Sequence, residues 1–190
     1  MRQNHADIVC FAGHKTLNGP FGIGGFAIRH GVDLVVSFTG GTGSDSLNLD
    51  MPKSAPKKYE ASSPNVPAYA GLLAALECCD VTAHEAVIRG LTDYAIGRLK
   101  DIPKITLKGT YEDGSTLGII SFVMEGYNSD EVGVILDDEY DIAVRTGYHC
   151  APYIHHFLND ETVNGTVRVG LGQFNTTDEI DNLVEALESL

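Results

Sequence analysis

The chain has 190 residues, 43% of them hydrophobic and 21% charged; this length and balance give one ordinary domain or two small ones, and exclude a disordered or fibrous protein. Acidic residues number 26 and basic ones 13, a net charge of −13, which argues against an open nucleic-acid groove or an anionic membrane surface as the main partner. A small anionic ligand stays allowed, because a pocket has its own local field.

The first residues carry no apolar signal-peptide core, and no apolar run reaches the length of about 18 that a spanning helix needs. Residues 7–13 read as a strand. A strand of this kind normally has neighbours on both sides, so a segment is expected upstream of it. Gly19, Pro20, Gly22, Gly24 and Gly25 then supply turn chemistry. Residues 23–28 and 32–37 read as further strands. Periodicity is lost over residues 39–65, a stretch of a length that usually binds or covers something. Pro64 opens a helical pattern to about Cys79, with Ser63 as its expected cap. Thr82 and Glu85 form a capping-box pattern ahead of Val87, Ile88, Leu91, Tyr94, Ala95 and Leu99. That helix is continuous with the previous one or breaks near Asp80, and it ends by Pro103.

Residues 105–110 and 117–124 read as short strands and 129–140 as a helix. Residues 125–141 carry seven carboxylates and no Lys or Arg, a solvated face on the ordinary reading. IAVR (142–145) reads as a strand, 150–158 as a short helix or turn, and 166–172 as a strand with Arg168 opposite Val167, Val169 and Leu171. Thr176 and Glu179 form a capping box before the stripe Ile180, Leu183, Val184, Leu187 and Leu190. The order predicts an α/β part feeding a smaller α+β part, divided near residue 95.

Four features carry chemistry. Lys15 follows a strand among small residues, where a desolvated amine is free to form a Schiff base; a surface lysine at a turn is the plain alternative. Gly40, Gly41, Thr42, Gly43, Ser44 and Ser46 can offer amides and hydroxyls to a phosphate, or form a flexible loop. They match neither a P-loop nor a dinucleotide fingerprint. Cys150 stands in RTGYHCAP beside Arg145 and His149, a setting for a reactive thiolate rather than a buried apolar cysteine. The other cysteines, Cys10, Cys78 and Cys79, read as packing residues; no CxxC pair exists, and the His149, Cys150, His155 and His156 spacing matches no metal signature. Arg168, alone in an apolar strand, needs an anionic partner if buried. A bound carboxylate or an internal salt bridge would serve, and Arg145 is equally open. The few cysteines and acidic composition predict a cytoplasmic protein.

Taken in order, five stretches resemble one family. They are FAGHKTLNGPFGIGGF (11–26), GGTGSDS (40–46), YEASSPNVPAYAGLLAAL (59–76), RTGYHCAP (145–152) and GTVRVGLGQFNTTDEID (165–181). The chain resembles the second half of a class V aminotransferase-type enzyme dependent on pyridoxal 5'-phosphate, and within that group the cysteine desulfurases and selenocysteine lyases. The resemblance implies the C-terminal half of a fold-type I architecture, with residues 1–95 as part of a large cofactor-binding domain and 96–190 as a small α+β domain. It implies that Lys15 binds the cofactor covalently and moves protons at the substrate's α carbon. It implies that His14 helps hold the cofactor phosphate. Thr42, beside Gly41, reaches a partner subunit's phosphate across a homodimer. Cys150 takes sulfur from bound L-cysteine as a persulfide and alanine is released. Arg168 grips the substrate carboxylate, and Arg145 and Asn65 lie near the substrate. A sulfur-acceptor protein is the implied onward partner.

The chain departs from the family in two ways. It has EASSPN where the family has EAGTPN or a close variant. In the family, an upstream segment also supplies a second phosphate-binding turn, a histidine stacked on the ring, an aspartate at the pyridine nitrogen and a glutamine, and residue 1 falls just after them. The expectation is a truncated product, a fragment or one subunit of a split enzyme, and a poor catalyst alone. The rival readings are a selenocysteine lyase or related class V enzyme, and a non-catalytic chain.

Overall fold

Alternating Ile8, Cys10 and Ala12 with Val9 and Phe11 makes an extended segment, and a glycine-rich turn lets it fold back on itself. The resulting strands β1 (Ile8–Ala12) and β2 (Gly24–Ile28) pair antiparallel, Cys10 opposite Phe26 and Ala12 opposite Gly24. The computed structural model describes residues 5–112 and 114–190. Helix α1 (Val66–Glu77) follows a long irregular stretch. Its cap is Asn65, whose Oδ1 accepts from the Ala68 N–H at 3.2 Å, and not Ser63. Pro67 in the first turn explains the shift: it needs no N–H partner there and starts the helix two residues later. Residues 32–37 form no strand. The Leu34 N–H donates to the Tyr59 hydroxyl at 3.1 Å and Asp33 holds Lys58 at 2.5 Å, so side chains and not a strand partner satisfy this segment.

The chain divides into two compact units, the first ending at Cys79 and the second running Asp80–Leu190. Residue 95 lies inside helix α2 (Val81–Lys100), whose Leu91, Ala95, Ile96 and Leu99 are part of the second unit's core. The first unit has a small core of Ile23, Ala68 and Leu72, with Leu17 against it.

In the second unit, Asp80 caps α2 by accepting from the Ala83 N–H at 3.0 Å. The helix therefore starts at Val81, and Thr82 lies inside its first turn, where it cannot cap; Glu85 pairs with Arg89. Strands β3 (Ile105–Leu107), β4 (Ile119–Met124), β5 (Arg145–Gly147) and β6 (Thr166–Gly170) form one antiparallel sheet in the order β3-β4-β6-β5. Ile142 to Val144 lie outside it, since ladder pairing begins at Arg145. Helix α3 (Ser129–Tyr140) has the expected bounds, and its capping box joins Asn128 and Glu131. Helix α5 (Thr177–Glu188) opens on the Thr176–Glu179 box. Between β5 and β6 come α4 (Pro152–Leu158) and a 3₁₀ turn, Glu161–Val163.

One face of the sheet packs on α2, α3 and α5. Ile120 faces Val169 and Phe122 faces Val167, and these join Leu99, Val132, Leu136, Ile180, Val184 and Leu187 in one buried core. Each such side chain contributes about 1.5–3 kcal/mol on burial. Side chains alternate along a strand, so Ser121, Arg168 and Arg145 fall together on the opposite face, in cross-strand register.

Candidate functional site

The first unit presents the lysine turn. Gly13 N–H donates to Ile23 O and Gly19 N–H to Gly13 O, each at 2.8 Å, and Asn18 N–H closes on Lys15 O at 2.8 Å. A methyl group on Gly19 would lie 2.8 Å from both Gly13 O and the Leu72 side chain, and one on Gly71 of α1 would strike the Pro20 ring. The turn is therefore seated on α1 by the absence of side chains. Lys15 emerges exposed, and its amine has no hydrogen bond or ion pair among the described residues. His14 is half-buried, its Nδ1 3.3 Å from Ile23 O and its ring 5.0 Å from that of Phe21.

The glycine loop is held at one end: Ser62 N–H donates to Gly41 O at 2.6 Å. Open space surrounds the α carbon of Gly41, and Gly43 has φ +66°. Thr42 Oγ1 accepts from Ser44 N–H at 3.5 Å. Asn65 lies just after this contact and uses its Oδ1 on the α1 cap. Among the described residues, no hydrogen bond joins Lys15 or His14 to Thr42. The donor set fits an aldehyde phosphate in kind: an unpaired primary amine, a hydroxyl and glycine amides. An apolar cavity of about 570 Å³ lies elsewhere in this unit, against Phe11, Phe26, Tyr59, Tyr69 and Leu72, and holds none of the predicted site residues.

The second unit presents Cys150. From the last residue of β5 onward the backbone is left-handed at Gly147 (φ +92°), His149 (φ +51°) and Cys150 (φ +59°). For the two residues with side chains this costs about 1–2 kcal/mol each, so surrounding contacts must hold it. Ala151 N–H donates to Tyr148 O at 2.8 Å. His149 Nε2 lies 2.8 Å from Thr166 Oγ1 and 3.1 Å from Thr166 O. A carbonyl only accepts, so Nε2 carries the proton and Nδ1, buried and without a partner, is the bare nitrogen. Burial first, then the field of Arg168, holds the His149 imidazole below its ordinary range, with His155 and Arg145 adding to the effect. Cys150 itself is exposed, which removes the buried apolar alternative. Cys10 and Cys78 are also exposed rather than packed.

Thr166 faces Gly147 and Arg168 faces Arg145, so the Cys150 turn folds back on the sheet face that carries both arginines. Neither guanidinium has a hydrogen bond or ion pair among the described residues. Two like charges in cross-strand register repel, and a bound carboxylate would satisfy both.

Sequence reading weighed His155 only as a metal ligand and missed Asp160 and the pairing of the two. His155 is buried on α4, and its Nδ1 lies 2.9 Å from Asp160 Oδ1. No spacing rule links a histidine to an aspartate five residues on, so the sequence carried no signal for the pair.

Comparison with known proteins gives a consistent result. The family model for aminotransferase class V matches residues 1–183. A cysteine desulfurase from Escherichia coli O139:H28 is 33% identical over 192 aligned residues, covering 97% of this chain and 45% of the relative. Among solved structures, an apo cysteine desulfurase from Thermococcus onnurineus NA1 superposes with TM-score 0.81 at 27% identity, over 99% of this chain and 48% of that one. The Escherichia coli cysteine desulfurase CsdA, in an S-sulfonic acid form, gives 0.80 at 30% identity, over 99% and 47%. The fold is thus the mixed α/β fold of fold-type I enzymes, and the chain spans about half the length of the relatives it matches.

Proposed function

Because the chain belongs to the class-V aminotransferase family, we propose that it performs cysteine desulfurase chemistry, converting L-cysteine to L-alanine and keeping the sulfur on Cys150 as a persulfide. One observation carries this: an exposed thiol on a strained turn, folded over a sheet face whose two arginines lack an acid partner among the described residues.

Lys15, His14, Gly41 and Thr42 are the residues that would hold pyridoxal phosphate, the amine as covalent anchor and the others at the phosphate. When bound, that cofactor supplies an electron sink next to the substrate's α carbon. Arg168, with Arg145 beside it, takes the substrate carboxylate, and Asn65 borders the substrate. The Lys15 amine removes and returns protons at the α carbon. The Cys150 thiolate attacks the substrate sulfur, and the carbon–sulfur bond breaks with its electron pair left on carbon, which takes up a proton. One cysteine and one thiol become one alanine and one persulfide, and no outside oxidant is consumed. The proposed setting is a cytoplasmic homodimer that hands sulfur to an acceptor protein.

A second reading has its own support. Ile8 and Phe26 on one face of the β1/β2 hairpin are 37% and 45% exposed, and Val9 and Phe11 on the other are each 39% exposed, apolar surface that further polypeptide would cover. In that reading the chain is one subunit of a split enzyme. The test is to incubate the chain with pyridoxal phosphate and L-cysteine and map each cysteine by mass spectrometry. One added sulfur on Cys150 is expected, with the cofactor's absorbance band lost in Lys15→Ala. Alanine release that survives unchanged in Cys150→Ala would refute the assigned thiol.

A further inference from the structure

Two residues ahead of Cys150 lean on one buried side chain. The His155 ring lies edge-on to Tyr148 with centroids 5.1 Å apart, and 5.8 Å from the His149 ring. His155 is 2% exposed and Asp160 1%. A carboxyl oxygen accepts from a ring N–H, so the hydrogen bond between His155 Nδ1 and Asp160 Oδ1 sets the ring's orientation. Asp160 is itself anchored, because its carbonyl takes the Gly165 N–H at 2.9 Å and the Val163 N–H at 3.2 Å. This ties it to the start of β6, the strand that bears Thr166 and Arg168. His149 is gripped from the other side by Thr166.

We propose that His155, oriented by Asp160, is the positioning residue for the Cys150 thiol: it supports the left-handed turn from below and keeps the sulfur at a fixed place over the arginine face. The inference rests on the reading of Cys150 as the sulfur-bearing thiol and goes beyond it by naming what aims that thiol. A thiol on a turn that relaxes reaches a bound sulfur less often, although its chemistry is unchanged. His149 is not the proton acceptor in this arrangement. Its Nε2–H is spent on Thr166 and its bare Nδ1 is buried.

The test compares the native chain with His155→Ala, Asp160→Ala and Asp160→Asn. The amide oxygen of Asn accepts from His155 as the carboxylate did, so this conservative variant should rescue. Two readouts are taken on the full chain. One is hydrogen exchange at the Ala151 amide, whose bond to Tyr148 O reports the turn, with the β4 and β6 amides as folding controls. The other is the initial rate and half-saturation of cysteine-dependent sulfur loading on Cys150. Expected in both Ala variants is Ala151 exchange at least tenfold faster with the β4 and β6 controls unchanged, and loading at least tenfold slower at an unchanged half-saturation. Asp160→Asn should stay within twofold of native. Native loading of Cys150 together with unchanged exchange and rates in the Ala variants overturns the proposal alone. Equal losses in Asp160→Asn overturn it too, since the hydrogen bond would then not be what orients His155. No sulfur on Cys150 in the native chain overturns the reading of the thiol, and the proposal falls with it.

Discussion

The arginine pair permits a quantitative test. Arg145 and Arg168 are direct partners across β5 and β6, which places their α carbons about 4.5–5.5 Å apart and their side chains on the same face. With the charged groups about 6 Å apart in a water-like medium the repulsion is about 0.7 kcal/mol. Physiological salt roughly halves it. Replacing either arginine by Gln removes the whole repulsion, so the two single variants and the double variant cannot be additive. A double-mutant cycle on Arg145→Gln and Arg168→Gln, read by urea unfolding and far-ultraviolet circular dichroism, should give a repulsive coupling of about 0.3–0.7 kcal/mol. Packing of each side-chain stem cancels in the cycle. The coupling should shrink as salt is raised, and acetate should stabilise the native chain more than chloride at equal ionic strength. An attractive coupling, or none at low salt, would show that the two charges do not share an anion site.

Three further outcomes are expected. Asn65→Ala removes the cap of α1 and should destabilise the first unit by about 1 kcal/mol, seen as a lower urea midpoint for that unit. Phe122→Ala empties a fully buried position in the second unit's core and should cost about 3–5 kcal/mol, measured by the same method. His149 contributes a pH dependence whose sign follows from its lowered pKa. The unfolded imidazole titrates near its ordinary value of about 6.5. The contribution is therefore complete above that pH and is lost as pH falls toward the folded value, because the unfolded state binds the proton first. Native protein should lose stability over that window faster than His149→Gln; parallel pH profiles would show that the histidine is not held neutral by its surroundings.

Much of this was legible in one dimension. The bounds of α3, the capping box of α5 and the alternation of β6 follow from local periodicity and short-range hydrogen bonding, which a sequence displays directly. The order of the five motif stretches pointed to the family, and the match over residues 1–183 agrees. Where local signals competed, sequence reading failed. Residues 32–37 have strand composition yet no partner strand, and Ser63 and Thr82 have cap chemistry but each sits two residues from the residue that caps its helix, Asn65 and Asp80.

What the tertiary structure alone decided concerns pairing across distance. The sequence determined that Arg145, Cys150 and Arg168 are present and that the strands alternate; it could not say that Arg145 lies opposite Arg168, because register depends on which strands become neighbours. Nor could it place His155 under the cysteine turn or match it with Asp160. A buried polar group has to find its partner wherever the fold brings one within hydrogen-bonding reach, and no spacing along the chain records where that will be.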